Sequence, residues 1–220
     1  MTGTRVRVPR AEREQQMIEA AEAVFAERGF RAASMDEIAA RVGVTKPMLY
    51  EYFGSKAGLL VACVSRASAE LFARTERAHA GCRDPEQRVR DGVRVFFDFI
   101  AGHGAAWSVL RSELALESGP AAVAVEQVRR QQSDQLAVVL GDHPTLASLP
   151  PTRLVAHADV VVGACERLAA RQGTTRSLSP AEATDVVMET VWTGLGRGVS
   201  SGGRRPPRRT GSTRGARAGG

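Results

Sequence analysis

Residues 34–53 read SMDEIAARVGVTKPMLYEYF, and this stretch spells two short helices joined by a glycine turn. Ser34 is a good N-cap, and Glu37 three residues on completes a capping-box pattern. Met35, Ile38, Ala39 and Val42 then form an apolar stripe at helical spacing, about two turns long. Gly43 permits a left-handed turn, with the apolar Val44 inside it. Thr45 is a second cap, and Pro47 is tolerated in a first turn, where its missing N–H has no helical partner. Two short capped helices around a tight turn fit a helix-turn-helix.

In that geometry Leu49 and Phe53 face inward, against Ile38, Val42 and a preceding helix. Lys46, Pro47, Tyr50 and Tyr52 are left to face outward at the start of the second helix, the end that enters a major groove. Lys46 can reach a phosphate or a guanine edge, and Pro47 and Met48 offer apolar contact to a thymine methyl. Tyr50 and Tyr52 can donate hydroxyls to phosphates, and Lys56 and Ser34 can hold the backbone beside the groove. Taken singly, an exposed Lys or Tyr is more often a solvated surface residue. Yet the chain has two lysines and two tyrosines, and all four fall between Lys46 and Lys56 in a protein with 28 arginines. That concentration favours contact with duplex DNA.

The wider pattern GF-x3-S-x3-IA-x3-GV-x-K-x-x-LY-x-YF-x-SK-x-x-LL, from Gly29 to Leu60, resembles the DNA-binding domain of TetR-family regulators. The resemblance covers about the first 60 residues. It implies an all-helical homodimer with an N-terminal three-helix DNA-binding domain and a C-terminal domain that binds a small-molecule effector. Ser34, Thr45, Lys46, Pro47, Tyr50, Tyr52 and Lys56 would carry the DNA-contact roles. Met48 stands where the family varies its base preference. The implied partner is a palindromic operator, and the implied function is a ligand-responsive, homodimeric repressor of transcription. A helical small-molecule-binding protein whose N-terminal module no longer regulates is the alternative.

The rest of the chain reads as further helices, with no convincing strand run, so the expected fold class is all-α. Met17, Ala21, Val24 and Phe25 form a stripe ending before Gly29. Further helices are predicted over about Ser55–Ala80, Pro85–Ile100, Ala105–Leu116, Ala121–Leu140, Thr152–Arg171 and Pro180–Leu195. The expected organisation is a DNA-binding domain over residues 10–56, a helical ligand-binding and dimerisation domain over 57–200, and a disordered Arg-rich tail over 201–220. By the resemblance, the last two helices pair with their twins. Val155, Ala158, Asp159, Val162, Gly163 and Glu166 form the expected stripe on one, and Val187, Val191 and Leu195 on the other. A ligand pocket is expected among the middle helices, with Phe96, Phe99, Trp107, Leu110 and Leu114 as candidates, though aromatics at helical spacing are core residues first.

Composition excludes more than it identifies. The 220 residues are 43% hydrophobic and 25% charged, with a net charge of +6. Arg204, Arg205, Arg208, Arg209, Arg214 and Arg217 sit in the tail without an acid, so the first 200 residues balance 24 basic against 24 acidic groups. The positive charge is therefore a tail property, and the tail is either an electrostatic arm on DNA or a dispensable extension. No apolar run is long enough for a membrane span and no secretory signal is visible, so a cytoplasmic location is expected. Cys63, Cys82 and Cys165 are odd in number and lack metal spacing, and His79, His103, His143 and His157 are scattered. Glu113 and Glu117 make one carboxylate pair, without a nucleophile, P-loop or dinucleotide fingerprint nearby. No metal, cofactor or enzymatic activity is expected.

Overall fold

Ser34, Thr45 and Ser55 stand at the N-caps of three successive helices, and the glycines that precede them in the chain turn the backbone left-handed. The computed structural model describes residues 9–114, 120–171 and 174–198, and among these the side chains other than those of 103–114, 121 and 193–198. Among the described residues it contains eight helices: α1 (Arg10–Ala32), α2 (Met35–Val42), α3 (Lys46–Phe53), α4 (Lys56–His79), α5 (Pro85–Leu114), α6 (Pro120–Gly141), α7 (Pro151–Ala169) and α8 (Pro180–Gly198). The regular run of α1 breaks at Gly29, whose φ of 76° is outside the helical region. This is where its apolar stripe ends in the sequence.

The small N-terminal unit folds because its few large apolar residues share one interior. Met17 and Phe25 of α1, Ile38 of α2, Leu49 of α3, and Leu59 and Leu60 of α4 are fully buried together. Each such side chain contributes roughly 1.5–3 kcal/mol of burial. Ion pairs then fix the angles between helices. Arg41 of α2 grips Glu27 of α1 with two hydrogen bonds of 2.7 and 2.8 Å. Arg66 of α4 reaches back to Glu22 and Glu19 of α1.

Helix α4 leaves this unit and enters the larger one, packing on α5 and α6. Helix α5 lies at the centre, against α1, α4, α6, α7 and α8. Its buried face, Val89, Val93, Phe96, Phe97 and Ile100, joins Leu140 of α6 and Val161 of α7 in a core continuous with the first. Helix α8 starts at a reciprocal capping box: Glu182 N–H donates to Ser179 Oγ (3.3 Å), while Ser179 N–H and Oγ–H donate to the Glu182 carboxylate (2.9 and 2.7 Å).

Three expectations need correction. The helices predicted over Pro85–Ile100 and Ala105–Leu116 are one helix, α5, running through Gly102 and Gly104 to Leu114. A glycine inside a helix costs about 1 kcal/mol against alanine. The apolar face of α5 outweighs two such penalties. The stripe expected to pair α7 with a twin is mostly interior: Ala158 is buried, Val162 faces a cavity, and Glu166 is hydrogen-bonded to Arg129 of α6 at 3.1 Å. Asp159 and Gly163 are exposed, on a face shared with Ala156 and Val160. On α8, Val187 is buried and Val191 packs on the core, Val186 is the exposed apolar residue, and the Leu195 side chain lies outside the described residues. The tail 201–220 lies outside the described residues as well. No helix among those described is long and apolar enough to cross a membrane.

Candidate nucleic-acid interface

The turn between α2 and α3 is built by hydrogen bonds to carbonyls in the last turn of α2, those of Ala39 and Ala40. Gly43 N–H and Val44 N–H both donate to Ala39 O at 3.0 Å, with Gly43 at φ 76°, ψ 33°. Only a residue without Cβ adopts this geometry at no steric cost. Leu49, fully buried, then pins α3 to the core and leaves its N-terminal half outside. Ser34 Oγ accepts from Glu37 N–H at 3.1 Å, as its spacing predicts, while the Glu37 carboxylate pairs with Arg28. Thr45 occupies the N-cap of α3, but its hydroxyl makes no capping hydrogen bond and is available at the surface.

Thr45, Lys46, Pro47 and Tyr50 form one exposed ridge, with Tyr50 42% exposed. The Lys46 ammonium is hydrogen-bonded to Asp36 Oδ2 at 2.8 Å, and this carboxylate holds the lysine pKa above its ordinary value. Both side chains are well solvated, 45% and 69% exposed, so a phosphate can exchange for the carboxylate at little expense. Met48 is half-buried, with the Arg13 guanidinium of α1 3.9 Å from its sulfur. Tyr52 is also half-buried rather than free-standing. Its ring lies under the Arg10 guanidinium, 4.8 Å from the centroid.

Lys56 is placed differently from the others. Its ammonium donates to the carbonyls of Phe30 (2.8 Å), Ala33 (2.9 Å) and Arg31 (3.3 Å), and lies 4.6 Å from the centroid of the Phe30 ring. All three N–H donors are spent on the chain that follows the Gly29 break. Lys56 is thus a strut that closes α1 onto α4. Arg10 and Arg13 of α1 also reach α3, although each lies more than thirty residues from the side chain it meets, Tyr52 and Met48. Their only signal in the sequence was a charge run shared with glutamates.

A second site lies between α4, α5, α6 and α7, a cavity of about 680 Å³. Phe96 lines it. Phe99 does not; it is buried elsewhere, with the Arg74 guanidinium 5.4 Å from its ring centroid. The side chains of Trp107, Leu110 and Leu114 lie outside the described residues. Among the described residues no group of three or more His, Cys, Asp or Glu gathers as a metal site would require.

Two family models match this arrangement. Residues 17–63 match "Bacterial regulatory proteins, tetR family", and residues 85–194 match "Tetracyclin repressor-like, C-terminal domain". The chain belongs to the TetR family. A TetR-like regulator from Rhodococcus sp. RHA1 superposes with a TM-score of 0.70 at 31% identity, covering 87% of this chain and all of that one. Among curated relatives, the transcriptional activator FasR of Mycolicibacterium smegmatis is 47% identical over 94 residues, 43% of each chain. The regulator BetI of Rhizobium meliloti is 31% identical over 127 residues, 56% of this chain and 63% of its own. The chain thus matches less than two thirds of the length of these two relatives. The TetR family is made of transcriptional regulators.

Proposed function

We propose that this chain is a sequence-specific DNA-binding regulator of transcription, a homodimeric repressor that releases its operator when a small molecule enters the cavity. The exposed ridge Thr45–Lys46–Pro47–Tyr50, on an α3 pinned to the core by Leu49, carries the proposal. Residues 10–56 act as the reading unit and 57–200 as the sensing and pairing unit. Ser34 and Lys46 engage phosphates, Met48 and Pro47 meet base edges, and Tyr50 and Tyr52 hold the backbone. Lys56 supports this surface from behind.

Pairing through the exposed face of α7 and α8 sets two copies of α3 on one side of the dimer, which a palindromic operator requires. Ala156, Val160 and Gly163 on α7 and Val186 on α8 supply a face of small and apolar residues for it. Effector binding shifts the population only so far as its affinity differs between the two dimer states. Helix α4 is built to connect them: Ser65 lines the cavity, and the adjacent Arg66 grips α1.

The test is binding of the full chain to the DNA flanking its own gene at two salt concentrations, with Tyr50→Ala and Lys46→Ala beside the wild type. Wild type should prefer this DNA over random duplex, and each substitution should weaken binding by about tenfold at unchanged melting temperature. Equal affinity for random duplex would sink the regulator reading in favour of a helical small-molecule-binding protein.

A further inference from the structure

The cavity runs along α4 from Val61 to His79, about 27 Å by the helical rise. Its floor is apolar: Leu71 on α4, Val93 and Phe96 on α5, Val139 on α6, and Val161 and Val162 on α7. One wall is different. Helix α6 sends Gln127, Gln131 and Gln135 toward it at successive fourth positions, with Gln132 beside them. None of the four amides has a hydrogen-bond partner among the described residues, and Gln132 and Gln135 are half-buried. Half-buried amides without partners are costly unless water or a ligand satisfies them.

The opposite wall offers less. Ser68 and Thr75 donate their hydroxyl hydrogens to the carbonyls of Val64 and Leu71 within α4. The charged lining groups are also accounted for. Arg88 pairs with Asp142 at 2.7 Å, and a ring nitrogen of His79 meets the Arg88 carbonyl at 2.7 Å. The remaining carboxylate, Glu76, is exposed at the rim. Among the described residues, an anionic head entering this cavity meets no uncommitted cation and would be desolvated without compensation.

We propose that the cavity takes an uncharged, elongated amphipathic molecule, whose hydroxyl, ether or carbonyl oxygens meet the α6 glutamine ladder while its apolar part lies along the floor. This rests on the cavity being the effector site. It specifies the chemistry of the effector: polarity supplied by neutral oxygens, without charge.

The test uses the full chain and three probes with ten-carbon chains, counting the carboxylate carbon, below their micellar concentrations: n-decyl-β-D-maltoside, sodium decanoate and decyltrimethylammonium bromide. Binding is measured by titration calorimetry on wild type and on the double variant Gln132→Leu/Gln135→Leu. The maltoside should bind once per protomer, about tenfold or more tighter than either charged probe, and the double variant should lose about tenfold for the maltoside alone. A thermal scan of the unliganded variant checks that it is folded. If decanoate or the ammonium probe binds as well as the maltoside, or the double variant binds all three unchanged, the uncharged class is wrong while the effector site stands. If no probe binds, the proposal falls together with the effector reading of the cavity.

Discussion

The N-terminal helices and the helical body obey different rules. Helices α2 and α3 are eight residues each, start at a Ser or Thr cap position and stop at a glycine of positive φ, so local chemistry fixes their ends. In the body the helices run to 30 residues, and their ends and faces are set by what they pack against. Gly43 terminates a helix whose eight residues bury three side chains. Gly102 fails to terminate one whose apolar face is buried from Val89 to Ile100, about three turns. The same residue type is a stop signal at the end of one helix and an ordinary helical position in another.

The largest expected effect probes that contrast at its anchor. Leu49→Ala empties a fully buried position in the smaller core and should cost about 2–5 kcal/mol. Because the two cores are continuous, calorimetry should show one transition lowered by roughly 5–15 °C. Two separate transitions would break the picture of a shared interior.

Next in size, Val160→Glu places a carboxylate on the exposed face of α7, and a two-fold axis would duplicate it. Dimer dissociation measured by sedimentation should weaken by about 3 kcal/mol, a hundredfold or more, with helicity unchanged. An unaltered dimer would move the pairing surface elsewhere.

Lys56→Met keeps the aliphatic stem and removes three charge-assisted hydrogen bonds. Denaturant unfolding should show a loss of about 1.5–3 kcal/mol, while the salt dependence of DNA binding stays as in wild type. A shallower salt slope at unchanged stability would return Lys56 to the DNA surface.

The smallest effect is on the Lys46 latch. Asp36→Asn releases the ammonium from its carboxylate, so operator affinity should rise a few-fold at low salt. The gain should fade as salt screens both states. Affinity equal to wild type at every salt concentration would mean that the ion pair does not compete with phosphate.

Much of the candidate interface could be read from the chain because its signals are dense and local. Ser34, Gly43, Thr45 and Pro47 fix the backbone, and the clustering of Lys46, Tyr50, Tyr52 and Lys56 marks the surface. What could not be read was which of these side chains is already occupied. Lys46 and Lys56 look alike in sequence. One is latched to a solvated carboxylate, and the other is consumed by three carbonyls that a φ reversal at Gly29 brings within reach. The body was less legible still. A one-residue rotation of the α7 stripe decides whether Val162 or Val160 faces outward, and periodicity alone fixes the stripe only to within such a step.

The sequence by itself determined the helical class, the helix-turn-helix and the ridge on α3, because caps and left-handed glycines act over three or four residues. Only the tertiary structure decided the rest: the continuity of α5, the strut made by Lys56, the outward face of α7, and the glutamine wall of the cavity. Each depends on which distant helix covers which face, and burial energy acts between residues that the chain order does not bring together.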